Sequence, residues 1–186
     1  MVKHTIFAIG LGFLLIILYV FQYTGAFKSV TVSVDQREAL QVVSKDYIGP
    51  YHKIVTTIED VETWAKAHGL KCRLSFGEYF DNPDVVEEGR LRARGGCVID
   101  PLVPEEKIKI SQLELPEGFK LSTLPAGKAV VAIFSGAAGI GPLKVYPKAL
   151  EFMEKEKLIK KGNVIEIYEI FDAKSMQTTY LWPVEN

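Results

Sequence analysis

The order of structure-forming stretches runs through this chain twice, and that repetition constrains the fold more than any other feature. Residues 39–47 have strand character, with Leu40, Val42 and Val43 apolar. Residues 51–68 carry Ile54, Ile58, Val61 and Ala65 at helical spacing, the mark of a buried stripe. Residues 74–80 and 91–99 are again strand-like. The same strand, helix, strand, strand order returns over residues 119–134, a helix ending near Lys157, and the two runs within residues 163–183. A duplicated unit of this kind predicts an α+β fold. Both helices would pack on one face of a shared antiparallel sheet, and the other face, lined from both halves, would form a cleft.

The punctuation supports these limits. Gly49-Pro50 breaks the first strand, Gly69 stops the first helix, and Asp81-Asn82-Pro83 turns between strands. Residues 101–117 read as a polar connector, and residues 135–142 as a glycine-rich turn. On the second helix Leu143, Tyr146, Leu150 and Met153 are the predicted apolar face, with Pro147 awkward inside it. Pro125-Ala126-Gly127 reads as a bend between two strand segments, and Gly162 ends the second helix.

Ahead of the repeats, no charge occurs from Thr5 to Phe27, and residues 6–21 are apolar apart from Gly10 and Gly12. That pattern predicts a transmembrane anchor over residues 1–28, with a cleaved signal peptide as the alternative. Lys3 on one side and Lys28 and Arg37 on the other leave its orientation open. Residues 29–35 are then a linker or a first strand, and residues 36–186 the folded domain, with repeats at 36–100 and 118–186. A single-pass membrane location follows.

A net charge of -1 argues against nucleic acid as a partner. The glycines at 136–141 are not followed by Gly-Lys-Ser/Thr, which excludes a P-loop, and no Gly-x-Ser-x-Gly nucleophile motif occurs. Two cysteines and three histidines, all scattered, predict no metal site, and no cofactor is implied.

The chemistry concentrates in residues 163–183. Side chains alternate across a strand, so Glu166 and Tyr168 share one face while Ile165 and Ile167 take the other, suited to packing under a helix. Tyr180 and Trp182 share a face of the following strand. Two alternatives stand at this point. Either an acid ringed by aromatics receives a flat or cationic organic molecule, or the segment is an edge hairpin with a solvated Glu.

Tyr-Ile-Gly-Pro-Tyr (47–51), Phe-Gly-Glu-Tyr-Phe-Asp-Asn-Pro (76–83) and Gly-Gly-Cys-Val-Ile (95–99) resemble the first half of GyrI-like domains. Residues 119–127, 145–158 and 165–168 resemble the second half, so the likeness runs over roughly residues 36–184. Within that superfamily the helix wording and N-terminal segment are most similar to single-pass receptors of the ER-phagy type, without their long tail. The resemblance implies duplicated SHS2-type repeats with a small-molecule cleft between them. It places Glu166 and Tyr168 in that cleft, Tyr79 at the equivalent place in the first half, and Gly77 opposite Glu166. Tyr180, Trp182 and Tyr47 complete the expected binding set. The expected function is a membrane-anchored module binding a small aromatic or cationic molecule. Hydrolysis of electrophilic compounds with Glu166 as general base is an alternative, as is an interaction adaptor.

Cys72 and Cys97 share the residue-number sum of Tyr79 and Arg90, 169, which would set the cysteines across from each other in a hairpin. Cys72, however, precedes the strand, and two reduced cysteines are the expected state.

Overall fold

The structure is a computed structural model that describes residues 2–99, 103–172 and 175–185. In chain order it comprises α1 (Val2–Thr24), β1 (Thr31–Arg37), β2 (Leu40–Ile48), α2 (Val55–Ala67), β3 (Leu74–Tyr79), β4 (Arg92–Val98) and α3 (Pro104–Gln112). There follow β5 (Phe119–Leu124), β6 (Gly127–Phe134), α4 (Gly141–Lys155), β7 (Ile159–Lys160), β8 (Val164–Asp172) and β9 (Ser175–Glu185). The strands form one antiparallel sheet in the order β1-β6-β9-β8-β3-β4-β2-β5, with short β7 beside β9. The expected α+β class with a large antiparallel sheet is therefore present.

The two halves meet along β3 and β8, and they exchange their leading strands. β1 runs into β2 but pairs with β6, while β5 runs into β6 but pairs with β2. Only Glu38 and Ala39 join β1 to β2, and only Pro125 and Ala126 join β5 to β6. Each joins strands at opposite ends of the sheet order, across a chain length of about 11 Å. The sheet must therefore roll until its ends meet. Its inner face is a cluster of Val42, Phe76, Val98, Leu124, Ala129, Val131, Ile165, Ile167 and Leu181, with no helical residue in it.

This corrects two expectations. Ile165 and Ile167 pack inside the roll, not under a helix. Both helices lie outside it, on the face that carries Glu166, and the helix-free face is filled by this cluster apart from a pocket lined by Leu40, Leu124, Ala129, Ile165 and Leu181. α4 packs Val145, Ala149 and Met153 on Val164, Tyr180, Trp182 and Val184. α2 packs Val61 and Ala65 on Val43 and Cys97, and Ile58 on Ala93. The stripe expected on α4 is also displaced, since Leu143 is 75% and Leu150 57% exposed. The smaller side chains Val145 and Ala149 let this helix approach the sheet, which leaves the bulkier leucines outside.

The connector after β4 is not wholly irregular. α3 begins with Pro104 in its first turn, where a missing N–H costs nothing, and buries Ile110 beneath Trp64, Leu113 and Leu115. Cys72 and Cys97 are joined as a disulfide, with Cα atoms 5.4 Å apart, against the expectation of free thiols. The observed register pairs Ser75 with Cys97, so Cys72 lies three residues short of the paired position. Its left-handed backbone, φ 46°, turns the chain back and brings the sulfur within reach.

The N-terminal segment is helical, but it is not a membrane span. Among the described residues no helix is long and apolar enough to cross a membrane. The uninterrupted apolar run, residues 6–21, is about 24 Å long as a helix, short of a hydrocarbon core of about 30 Å. Lys3 and His4 stand in its first turn, and Gln22 and Thr24 in its last. The expected anchor, and the single-pass membrane location that rested on it, are withdrawn. The helix end is held to the domain instead. The Ala137 N–H donates to the Thr24 carbonyl at 3.0 Å, and Lys144 donates to the carbonyls of Ala26 and Lys28.

Candidate functional site

Glu166 lies in mid-β8, opposite Gly77 on one side and Tyr180 on the other. Gly77 is there for space. A Cβ at that position would sit 2.9 Å from the Tyr79 hydroxyl and 3.1 Å from its ring, so the absent side chain lets the phenol fold across β3 towards β8. Gly95, beside Gly77 in the register, similarly accepts Ile58 of α2. Two glycines thus bring α2 and the Tyr79 ring down to the seam between the halves.

The carboxylate is 5% exposed and held by phenols alone. Tyr146 of α4 donates to Glu166 Oε1 at 2.9 Å, and Tyr168 donates to Oε2 at 2.9 Å. Tyr168, its own proton committed to Glu166, accepts from Tyr79 at 2.7 Å. Trp182 meets Tyr146 edge-on at 5.3 Å and stacks along Tyr180 at 6.2 Å. Tyr51 closes the far side with an edge contact to Tyr79 at 4.8 Å.

Burial raises the Glu166 carboxyl from the ordinary range to about 7, and the two phenol donors oppose that rise. No cationic side chain of the described residues contributes to holding it ionised. Tyr79, Tyr146, Tyr168 and Tyr180 are all pushed well above the usual phenol range, first by burial and next by the Glu166 charge. They stay protonated, and Tyr79, Tyr146 and Tyr168 serve as donors.

The structure therefore brings together five of the six expected site residues, Glu166, Tyr168, Tyr79, Tyr180 and Trp182. Tyr47 stands apart. It lies on β2, three strands from β8, and spends its hydroxyl on the Pro50 carbonyl at 2.9 Å. With Tyr51, Tyr79 and Tyr168 it is one of the partly buried aromatics packed against Ile54, Ile58 and Ala93. Tyr146 was missed as a site residue. Its spacing placed it on the buried side of a helix, but nothing local says that this helix crosses β8 at Glu166.

A second buried acid differs in kind. Glu78, 8% exposed, points to the inner side of the roll. It accepts from Arg94 Nε at 2.6 Å and Asn163 Nδ2 at 2.9 Å, and Arg94 continues to Ser122 Oγ at 2.8 Å. That charge is compensated within the protein, whereas the Glu166 charge is not. Among the described residues no group of three or more His, Cys, Asp or Glu side chains stands ready to hold a metal.

A rolled antiparallel sheet with two outer helices, enclosing one acid among aromatic rings, has the make-up of a small-molecule-binding domain. The comparisons with known proteins give the family. The GyrI-like small molecule binding domain matches residues 31–185, and the chain belongs to that family. It is 29% identical over 92 residues to the DNA gyrase inhibitor of Pectobacterium carotovorum, an alignment spanning 48% of this chain and 60% of that protein. The fold is similar to the C-terminal domain of EcmrR, with a TM-score of 0.64 and 18% identity, covering 84% of this chain and 98% of that one. It is also similar to a protein solved bound to tetraphenylphosphonium, with a TM-score of 0.53 and 15% identity, covering 84% and 94% of the two chains.

Proposed function

We propose that this protein binds a small aromatic cation at the seam between its halves, with Glu166 as the counter-charge and Tyr146, Tyr168, Tyr79, Tyr180 and Trp182 as the surrounding rings. The observation that carries this is Glu166 itself, a nearly inaccessible carboxylate with phenol donors and no cationic partner among the described residues. Burying an uncompensated charge is costly, and an organic cation supplies the missing charge without demanding a hydration shell. The phosphonium-bound fold relative is consistent with this chemistry. The kinship with single-pass receptors leaned on the N-terminal anchor and forms no part of this assignment.

Tetraphenylphosphonium titrated by calorimetry between pH 6 and 8 tests it. With a carboxyl near 7, Glu166 is about nine-tenths protonated at pH 6 and nine-tenths ionised at pH 8, so affinity should rise about tenfold across the range. Binding should release protons near pH 7, and Glu166→Gln should abolish both effects. Affinity independent of pH in the wild type would refute the counter-charge role.

A second reading, general-base hydrolysis, draws on the same carboxyl near 7, a value suited to accepting a proton from water. Both carboxylate oxygens are already taken by phenols, so water would first have to displace one of them. Product formation from an electrophilic ester, lost in Glu166→Gln, would favour hydrolysis over binding.

A further inference from the structure

The pocket on the inner side of the roll belongs to no part of the Glu166 site. It lies where the ladder that β1 and β2 make with β6 and β5 is interrupted. Arg37 pairs with Gly127 and Leu40 with Leu124, while Glu38, Ala39, Pro125 and Ala126 between them make no strand pairing. Pro125 has no N–H to donate, so the gap lacks one of the donors a continuous ladder would use. The space left there is a cavity of about 70 Å³. Its inner part is lined by Leu40, Leu124, Ala129, Ile165 and Leu181, which belong to the apolar cluster inside the roll or pack against it. Arg37, Lys128 and Glu38 border it with charge. A cavity of about 150 Å³ accepts benzene, so one of half that size suits an alkyl chain of about three carbons.

Arg37 decides what such a chain must carry. Its guanidinium is partly buried, and among the described residues it makes no hydrogen bond or ion pair. Burial lowers its pKa, and the charge of Asp35 offsets only part of that cost. Lys128 adds positive charge from β6, while Glu38 is exposed, so water screens its repulsion of an anion. A guanidinium fork receives a carboxylate through two parallel N–H donors. We infer that this cavity binds a short-chain monocarboxylate, with the carboxylate on Arg37 and the alkyl end against Leu124, Ile165 and Leu181. The site is separate from the one around Glu166. Ile165 faces the inside of the roll and Glu166 the outside, so neither assignment rests on the other.

The experiment titrates butyrate and butyramide into the full chain, methyl-labelled at Leu and Ile, and follows the methyl signals by NMR at matched ionic strength. Butyrate should move the signals of Leu40, Leu124, Ile165 and Leu181 saturably. Butyramide has the same shape without the charge and should bind about tenfold more weakly, the value of one charge-assisted hydrogen bond. Arg37→Gln should bring butyrate down to the level of butyramide and leave butyramide within about twofold. Arg37→Lys keeps the charge but loses the two-pronged geometry, so its butyrate affinity should fall between the wild type and that level; it carries the test if Arg37→Gln does not fold. Leu40→Phe should fill the cavity and remove the binding of both compounds. Equal affinities for butyrate and butyramide in the wild type would overturn the assignment, as would a preference for butyrate undiminished in the Arg37 variants. Shifts that do not saturate, or that centre on methyls away from the cavity, would overturn it as well.

Discussion

Replacing Glu166 by Gln should make the protein more stable at pH 8 and leave it nearly unchanged at pH 4.5. The carboxyl sits at about 7 in the folded chain, against an ordinary value of 4.5, because burial penalises its charge more than the phenols of Tyr146 and Tyr168 reward it. Between those two values the folded state holds a proton that the unfolded state has released. Stability therefore falls as pH rises from 4.5 to about 7 and is level on either side. At 1.36 kcal/mol per pH unit the ionised group costs on the order of 3 kcal/mol above pH 7. Glutamine matches the shape. Its carbonyl accepts from one tyrosine and its amide donates to the oxygen of the other, so the variant keeps the packing without the charge. Urea denaturation of both proteins from pH 4.5 to 8.5, taken as the difference between them, cancels every other titrating group. The difference should grow from near zero to about 3 kcal/mol, with its midpoint within the window from 4.5 to 7. A flat difference would refute the burial of an uncompensated charge, and with it the physical basis of the binding assignment.

Two further outcomes follow from the packing. Cys72→Ala with Cys97→Ala should lower stability by about 3.5 kcal/mol, the chain-entropy value for closing a loop of this 25-residue separation, read by denaturation with and without reductant; equal stability of the oxidised and reduced wild type would contradict it. Gly96→Ala should be destabilising by about 1–3 kcal/mol or prevent folding, because its Cβ would lie 2.1 Å from the Val43 carbonyl oxygen, a backbone atom of the paired strand; a melting temperature equal to the wild type would count against the close β2–β4 approach.

The sequence by itself determined the elements and the pairs within them. Alternation put Glu166 with Tyr168, and Tyr180 with Trp182, because side chains in a strand have a period of two whatever surrounds them. Helical spacing put Ile54, Ile58, Val61 and Ala65 on one buried stripe for an equally local reason. The resemblance added Tyr79 and Gly77 at their places around Glu166. What local pattern could not say is which layer covers which face. Ile165 and Ile167 are apolar enough to lie under a helix, yet two-residue links between strands at opposite ends of the sheet force it to roll, and the roll buries them against its own far strands. With that face filled from within, both helices are left to the face that bears Glu166, and only there does Tyr146 arrive over the acid. The disulfide has the same origin, since strand pairing alone leaves Cys72 three residues out of register and a left-handed turn makes up the difference. Periodicity is a property of neighbouring residues. The closure of a sheet, the crossing of a helix over a strand and the burial of one acid without a counter-charge are set by contacts between residues far apart in the chain, and only the folded structure decides them.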